Sequence, residues 1–554
     1  MPVTTAYANI TISGTGTKTI PTELFLGNNL SVNASTLLIE SNKTLIVTNN
    51  VVVNPAATMT LETNTFNQSA SLVQINDAAI NSGTVIYRRN STGGEKDYTY
   101  WSTPVAGQTL LAVSPFTKLD KFFSFDSVAN DWLQANPSTE MIIGKGYIIR
   151  GIPPPPFPAL PPGFTTASFI GTPNNGIHKI SGVVADKPYL LGNPYPCALN
   201  AEKFLNSNSG VLDGTLYFWT HYTAIQDRNL IVGNDQFGNP KVGTGILAYT
   251  SDDYASYNTV GGVAAGDGVI PNGRIGAGQG FFASSNATIF GINEIVFNNS
   301  MRLSSDAIPT VLNNSQFFKT RNPKTKTTVF EKHRIWLNLT NTQGVFKQTL
   351  VGYITDATNQ YDSRFDGISF DGNQFVDFYS VNQEKNLVIQ GRALPFDEND
   401  EVPLGFRTTI SGDFTIKIDQ ADGVLTNQTV YIEDKLTNSI FDLRSGSFTF
   451  NTAAGTFNDR FVLRYTNKTL ETKDLETLEK QVLVSNKNKQ IKINSKTETI
   501  DKVAVYDLLG RQLFKKDKVN NNELAIPNLV SNQQTLLVKV ILQNGQTVTK
   551  KIMY

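Results

Sequence analysis

From residue 5 to residue 88 the chain repeats one short phrase, an apolar triplet or quartet followed by Asn, Gly or Ser. Leu24-Phe25-Leu26, Leu30-Ser31-Val32, Leu37-Leu38-Ile39, Leu45-Ile46-Val47, Val51-Val52-Val53, Met59-Thr60-Leu61 and Leu72-Val73-Gln74-Ile75 are successive instances, most starting six to eight residues apart. Turn formers such as Gly27-Asn28-Asn29, Ser41-Asn42 and Asn49-Asn50 stand between them. Strands this short cannot bury a face alone, and even spacing lets successive coils stack them into a β-helix. A flat meander is the competing arrangement. A solenoid that begins at residue 5 needs earlier rungs over its first face, so a longer parent protein is expected.

The rest of the chain has the same β character. Its 554 residues exceed what one core can organise, and 42 Gly and 24 Pro favour turns over helices. The predicted class is all-β: a β-helix-like solenoid end over 1–88, β-sandwich domains, and an Ig-like β-sandwich at the C-terminus. Residues 89–300 read as a duplicated β-rich module. Tyr98-Thr99-Tyr100-Trp101-Ser102-Thr103-Pro104, Phe122-Phe123-Ser124-Phe125 and Gly144-Lys145-Gly146-Tyr147 recur in kind as Tyr189-Leu190-Leu191-Gly192-Asn193-Pro194, Leu216-Tyr217-Phe218-Trp219 and Gly278-Gln279-Gly280-Phe281. Pro153-Pro154-Pro155-Pro156-Phe157-Pro158 lies between the halves and cannot pair in a sheet. Residues 301–466 alternate as a β-sandwich does, with Arg334-Ile335-Trp336-Leu337 and Phe414-Thr415-Ile416-Lys417-Ile418 among the strands. Residues 467–483 are charged and read as a linker to a terminal module at 484–554.

Charge separates that module from the rest. The chain balances 47 basic against 47 acidic residues, but 484–554 hold 12 against 5 and the other residues 35 against 42. A basic tail on a mildly acidic body suits a tail that meets a separate partner. The single cysteine, Cys197, permits no internal disulfide and has no His nearby in sequence, so a packed side chain is expected. The start, Met1-Pro2-Val3-Thr4-Thr5, lacks the basic and apolar regions of a signal peptide. No run approaches the ~18 apolar residues of a membrane helix.

Motifs for chemistry are sparse. The three histidines, His178, His221 and His333, fall at no metal-binding spacing, and no Gly-x-Ser-x-Gly elbow occurs. Gly276-Ala277-Gly278-Gln279-Gly280 and Gly144-Lys145-Gly146 fit tight bends better than nucleotide loops. Asp362, Asp366 and Asp371, with the second loop at Asp419 and Asp422, are candidate calcium ligands, although their spacing is not that of an EF-hand. No other cofactor is expected. Among aromatic residues, Trp132 and the pair Tyr254 and Tyr257 stand in turn-like surroundings and are the better candidates for exposure to sugars.

The end of the chain carries a further signal. Val505-Tyr506-Asp507, then Gly510-Arg511, the strand Leu536-Leu537-Val538-Lys539-Val540, an Asn544-Gly545 hairpin turn and Lys550-Lys551 before the final residues occur in order. This arrangement resembles the C-terminal sorting domain of cargo exported by the type IX secretion system of Bacteroidetes-type bacteria. A Leu-x-x-Gly-x-Tyr segment common in that family is replaced here by Val530-Ser531-Asn532-Gln533-Gln534-Thr535. Asp126-Ser127-Val128 likewise looks like a short O-glycosylation acceptor of such bacteria. The resemblance implies a secreted or cell-surface protein that passes through the periplasm, with the type IX translocon and an outer-membrane shuttle protein as partners. Surface glycans are candidate further partners, and nucleic acid is not expected. The implied function is an adhesin-like or structural surface protein without enzymatic activity. A secreted polysaccharide-binding or polysaccharide-degrading protein is the alternative.

Overall fold

The computed structural model describes residues 8–64, 69–91, 97–151, 165–220, 226–227, 247–248, 254–266, 268–302, 331–369, 375–467, 482–487, 490–496, 498–527, 529, 534–543 and 547–554. The fold is nearly all-β, with 54% strand and 4% helix. Two compact units divide the chain, Met1–Thr466 and Asn467–Tyr554.

The first unit opens with a three-sided solenoid. Ile10–Ile12, Leu30–Val32 and Val51–Val53 form one parallel ladder. Thr17–Ile20, Thr36–Ile39 and Thr58–Leu61 form the second, and Leu24–Leu26, Thr44–Val47 and Ser71–Gln74 the third. Each apolar triplet is thus one side of a coil, and Leu26, Leu30, Val32, Leu37, Ile39, Leu45, Val47 and Val51 fill the interior. The asparagines between triplets stack at the corners. Asn49 donates to Asn28 Oδ1 (2.6 Å) and Asn76 to Asn49 Oδ1 (2.8 Å), while Asn29 Oδ1 accepts from the Asn50 backbone N–H (3.0 Å). An amide can donate and accept at once, so one residue type satisfies each turn and links it to the next.

The solenoid hands its second sheet to the following module. Val85–Ser91 pairs in parallel with Thr58–Leu61 and antiparallel with Thr165–Pro173. The expected division at residue 88 falls inside this strand. A solenoid's last coil presents open backbone groups, and continuing the sheet covers them.

Two units of like topology follow. In the first, the sheet order is Tyr98–Trp101, Tyr147–Arg150, Phe122–Asp126, Asp131–Gln134. In the second it is Pro188–Gly192, Gly280–Ser285, Leu212–Trp219, Tyr254–Tyr257, with Gly262–Val263 added at the edge. Both place a short helix after the first strand, Leu110–Val113 and Ala201–Ser207. The caps match too: Thr109 accepts from the Ala112 N–H and Asn200 from the Lys203 N–H. Both are also embraced by an antiparallel pair, Val85–Ser91 with Thr165–Pro173 and His178–Ser181 with Glu294–Phe297.

The two units meet about a pseudo-twofold seam. The Ser102 N–H donates to the Gly278 carbonyl (2.8 Å), and the Gly192 N–H to the Gly144 carbonyl (2.9 Å). Each Gly-x-Gly therefore hydrogen-bonds the first strand of the other unit. Gly144 (φ +85) and Gly278 (φ +62) occupy the left-handed region that favours glycine. At Gly192 a Cβ would stand 2.2 Å from Cβ of Ser102, so only glycine fits. Tyr100, Phe125, Tyr217 and Phe282 fill the space between the sheets. Trp132 and Tyr254, expected to be exposed, are half-buried against this cluster, and Tyr257 is buried. Their turn-like sequence surroundings belong to hairpin strands whose rings point inward (Asp131–Gln134 and Tyr254–Tyr257).

Strands between Lys332 and Arg464 form one long sheet that closes on itself as a sandwich. Its last strand, Phe448–Thr452, meets its third, Gly455–Arg464, through Phe450 and Phe461, whose ring centroids lie 4.6 Å apart. This sandwich packs on the second repeat unit. Trp336 Nε1 donates to the Gly262 carbonyl (2.7 Å), and Val260, Trp336, Leu350 and Phe365 share a core.

The second compact unit is a seven-stranded antiparallel sandwich. Val482–Lys487, Gln490–Ser495 and Glu523–Pro527 form one sheet. Gln512–Lys516, Ile500–Asp507, Thr535–Leu542 and Thr547–Met553 form the other. Val482, Ile491, Ile493, Val503, Val505, Val538, Val540 and Val548 make its core. Its first strand opens at Val482, inside the stretch assigned to the linker; the rest of 468–481 lies outside the described residues.

Candidate functional site

In the closing sandwich, strand alternation sorts side chains between core and solvent. On Ile500–Asp507, Val503 and Val505 point inward and are fully buried, while Lys502, Ala504 and Tyr506 face out. On Thr535–Leu542, Val538 and Val540 are buried and Lys539 is exposed. The register sets Lys515, Ala504, Lys539 and Thr549 in one row, and Gln512, Tyr506, Leu537 and Lys551 in the next. One sheet face therefore carries Lys502, Lys515, Lys539 and Lys551 around the apolar groups of Tyr506 and Leu537. Lys515 is paired with Asp517 (2.9 Å) and Lys502 lies 3.7 Å from Asp501. Neither Lys539 nor Lys551 has a carboxylate partner among the described residues. Such a face attracts an acidic surface.

The turn beside it is held from within. Asp507 is buried, and its Oδ1 accepts from the backbone N–H of Leu509 (3.0 Å) and Arg511 (2.9 Å). Its Oδ2 accepts from Arg511 Nε (2.7 Å). The Arg511 side chain and these N–H groups hold the carboxyl below its ordinary range. Gly510 sits at φ +81, which the turn requires. The result is a fixed loop that presents Leu508 and Leu509, 63% and 82% exposed, to solvent.

The residues singled out from sequence thus divide. Val505 is core; Asp507, Gly510 and Arg511 build the turn; Tyr506 and Lys551 face outward, and Lys550 is half-buried on the last strand. Asn544 and Gly545 lie outside the described residues. Sequence reading missed Lys502, Lys515 and Lys539 as companions of Lys551, although for Lys502 and Lys539 the buried valines beside them, Val503, Val538 and Val540, are the available signal.

The described candidate calcium residues make protein hydrogen bonds, with Asp362 and Asp366 adjacent in one turn and Asp419 and Asp422 on one strand elsewhere. Asp366 is buried and accepts from the Gly391 N–H (2.9 Å) and the Asp362 N–H (2.8 Å), with burial pushing it up to about 7 against those bonds. Asp362 accepts from the Arg364 N–H (3.0 Å). Asp419 accepts from Asn338 (3.2 Å) and Gln348 (3.3 Å), and Asp422 from Arg334 Nε (3.0 Å). Asp371 lies outside the described residues. Among the described residues, no three His, Cys, Asp or Glu side chains are grouped to hold a metal ion.

Cys197 is buried, accepts from Arg302 Nε (3.2 Å), and has its thiol pKa raised by burial, which opposes thiolate chemistry. His178 packs 5.7 Å from the Tyr195 ring; burial and the Arg302 charge push it down to about 4, so it is neutral near pH 7. His333 pairs with Glu331 (2.9 Å), and His221 lies outside the described residues.

A family model described as a domain of unknown function, DUF8693, matches residues 1–465. The chain belongs to the DUF8693 family. A second model, DUF8694, also a domain of unknown function, matches residues 470–554, the closing sandwich. The two matches divide the chain where the DUF8693 body gives way to the second compact unit. No curated protein matches. Among solved structures, the chain is similar to Tp47, the 47-kilodalton lipoprotein of Treponema pallidum, at 10% identity over 65% of this chain and 91% of that one, TM-score 0.13. It is similar also to the BSP domain of a biofilm associated protein, at 10% identity over 86% and 94%, TM-score 0.11. Likenesses this shallow carry no argument about the DUF8693 body.

Proposed function

We propose that this chain is a non-enzymatic, adhesin-like or structural cell-surface protein whose closing sandwich addresses it to the type IX translocon and its outer-membrane shuttle partner. The observation that carries the reading is the closing unit itself. It is compact, has its own core, and shows one basic sheet face beside a fixed turn with two exposed leucines. Lysines on a rigid sheet steer an acidic partner surface, and the exposed leucine pair offers apolar area to bury on docking. The resemblance of the Val505–Arg511 and Lys550-Lys551 motifs to sorting domains names the partner.

The test is secretion from a Bacteroidetes-type host that carries the export machinery. With a periplasmic signal peptide placed before both, full-length chain should be accessible to protease on intact cells, and a chain ending at residue 466 should remain in the periplasm. Normal surface delivery of the truncated chain overturns the proposal.

A further inference from the structure

A cavity of about 300 Å³ opens along the pseudo-twofold seam of the repeat units, lined by Phe125, Asp126, Leu133, Lys145, Ile180 and Tyr189 among others. The first four belong to one unit and the last two to the other, and the backbones of Lys145 and Leu191 bridge beneath it. Its size lies at the small end of ligand pockets, about 300–1,000 Å³.

Two polar atoms in it, Lys145 Nζ and Asp126 Oδ2, make no hydrogen bond among the described residues. The half-buried Lys145 ammonium has no hydrogen bond or ion pair among the described residues and lies 5.9 Å from the centroid of the Tyr147 ring. Burial pulls its pKa down and the Asp126 charge holds it up. Asp126 is oriented by its own turn, with Oδ1 accepting from the Val128 and Ala129 N–H groups (both 2.9 Å). Its Oδ2 has no hydrogen-bond partner among the described residues.

The duplication says that packing does not demand this pair. Aligning Gly144-Lys145-Gly146 with Gly278-Gln279-Gly280 makes Gln279 the counterpart of Lys145, and there the amide oxygen is used internally, accepting from the Gly276 N–H (2.8 Å). The counterparts of Leu190 and Phe125 are Tyr100 and Trp219, which stack 5.7 Å apart and 5° from parallel. The seam is filled by rings on one side and left open, with opposite charges, on the other.

We propose that this cleft binds one unit of a neutral saccharide. Neighbouring hydroxyls accept from Lys145 and donate to Asp126, and the sugar's C–H face lies on Tyr189 and Leu133. The opposite charges of Lys145 and Asp126 offset one another, so an acidic or an amino sugar gains no net attraction, while a neutral sugar uses both groups as donor and acceptor. This site lies in the body and does not depend on the export reading.

The experiment uses purified full-length chain and titration calorimetry against neutral gluco-, manno- and galacto-oligosaccharides, with oligogalacturonate and chitosan oligomers as charged comparators. Saturable binding of at least one neutral oligosaccharide is expected, weakened at least tenfold by Lys145→Met and by Asp126→Asn, and unchanged by Lys203→Met outside the cleft. Thermal unfolding of each variant checks that the fold survives. Preference for a charged oligomer, affinity untouched by both cleft variants, or no saturable binding to any neutral glycan overturns the proposal. Because no secretion step is involved, failure here leaves the export test unaffected, and the reverse holds.

Discussion

The DUF8693 body and the closing sandwich hide short strands by opposite means. In the body, cations are drawn inward at the joints between modules. Arg302 donates to the Leu72 carbonyl of the solenoid (2.8 Å), to Asn175 and Asn299 (2.9 Å each), and lies 4.6 Å over the Tyr195 ring. Arg89 donates to the Gly278 carbonyl across the seam (2.6 Å) and packs on Trp101. Lys332 on the sandwich's first strand donates to the Thr259 carbonyl (2.6 Å) and Glu202 (3.0 Å) of the second repeat unit. The closing sandwich instead keeps its lysines on the surface, and Asp507 is its sole buried charged residue among those described. Modules that share buried polar joints depend on one another, whereas a module with an apolar core of its own is free to stand alone.

The largest expected break in this contrast is Arg302→Met. It takes the Arg302 donor from the buried Leu72 carbonyl and one of two donors each from Asn175 Oδ1 and Asn299 Oδ1, which keep the Asn299 amide and the Gly176 N–H. The cost is about 1–3 kcal/mol for the orphaned carbonyl and about 2–4 kcal/mol in all. Calorimetry should show the body's unfolding transition moving down while that of the closing sandwich stays in place. Equal movement of both would dissolve the distinction. Gly192→Ala comes next, since its Cβ would press on Ser102 at 2.2 Å. Overpacking of this kind costs about 1–3 kcal/mol. Adding Ser102→Gly should restore most of the loss, and no rescue would place the strain elsewhere than the seam.

Much of this architecture is legible in the chain because periodicity is a local property. The triplets of 24–75 predict coils, and the recurrence of aromatic strand and Gly-x-Gly predicts paired units. What escapes is whatever depends on partners distant in sequence. Nothing near Arg302 announces that it reaches Leu72, 230 residues earlier. The seam cleft joins Lys145 to Tyr189 only after the units pack, so no motif marks it. Lys502 and Lys539 stand beside buried valines and are readable as one face, while Asp507 of the sorting motif is a buried acceptor within its own turn. A carboxylate between apolar neighbours has the same local sequence whether it meets a partner or its own backbone.

Acidity offers a subtler division. Burial pushes Asp213 and Asp366 in the body up to about 7, well above the ~3.9 of an unfolded aspartate. The folded body therefore holds protons that the unfolded chain lacks, and it gains stability as pH falls from 8 through 7. His178, pushed down to about 4, works the other way only below its unfolded value of ~6.5, so pH 8 to 6.5 is the clean window. Asp507 in the closing sandwich is depressed; its contribution is complete above ~3.9 and is lost as pH falls through the folded value. Between pH 8 and 6.5 the body's melting temperature should rise while that of the sandwich stays level. Asp213→Asn with Asp366→Asn should flatten the slope, and a slope that survives both would assign it to other groups.

The smallest effect on folding belongs to the surface lysines, and there the contrast is sharpest. Lys539 and Lys551 are exposed and share the outward face with Leu537. Exchanging both for Gln should change the closing sandwich's stability by no more than about 0.5 kcal/mol, as surface substitutions do. The same exchange removes two positive charges from the face assigned to an acidic partner, whose attraction is long-ranged at low salt and screened over about 10 Å at 0.1 M. Surface delivery by the double variant should therefore fall with its fold intact, measured as the fraction of chain open to protease on whole cells. Undiminished delivery would move recognition off the lysine face and onto the Leu508-Leu509 turn, where Leu509→Ser would then be the decisive substitution.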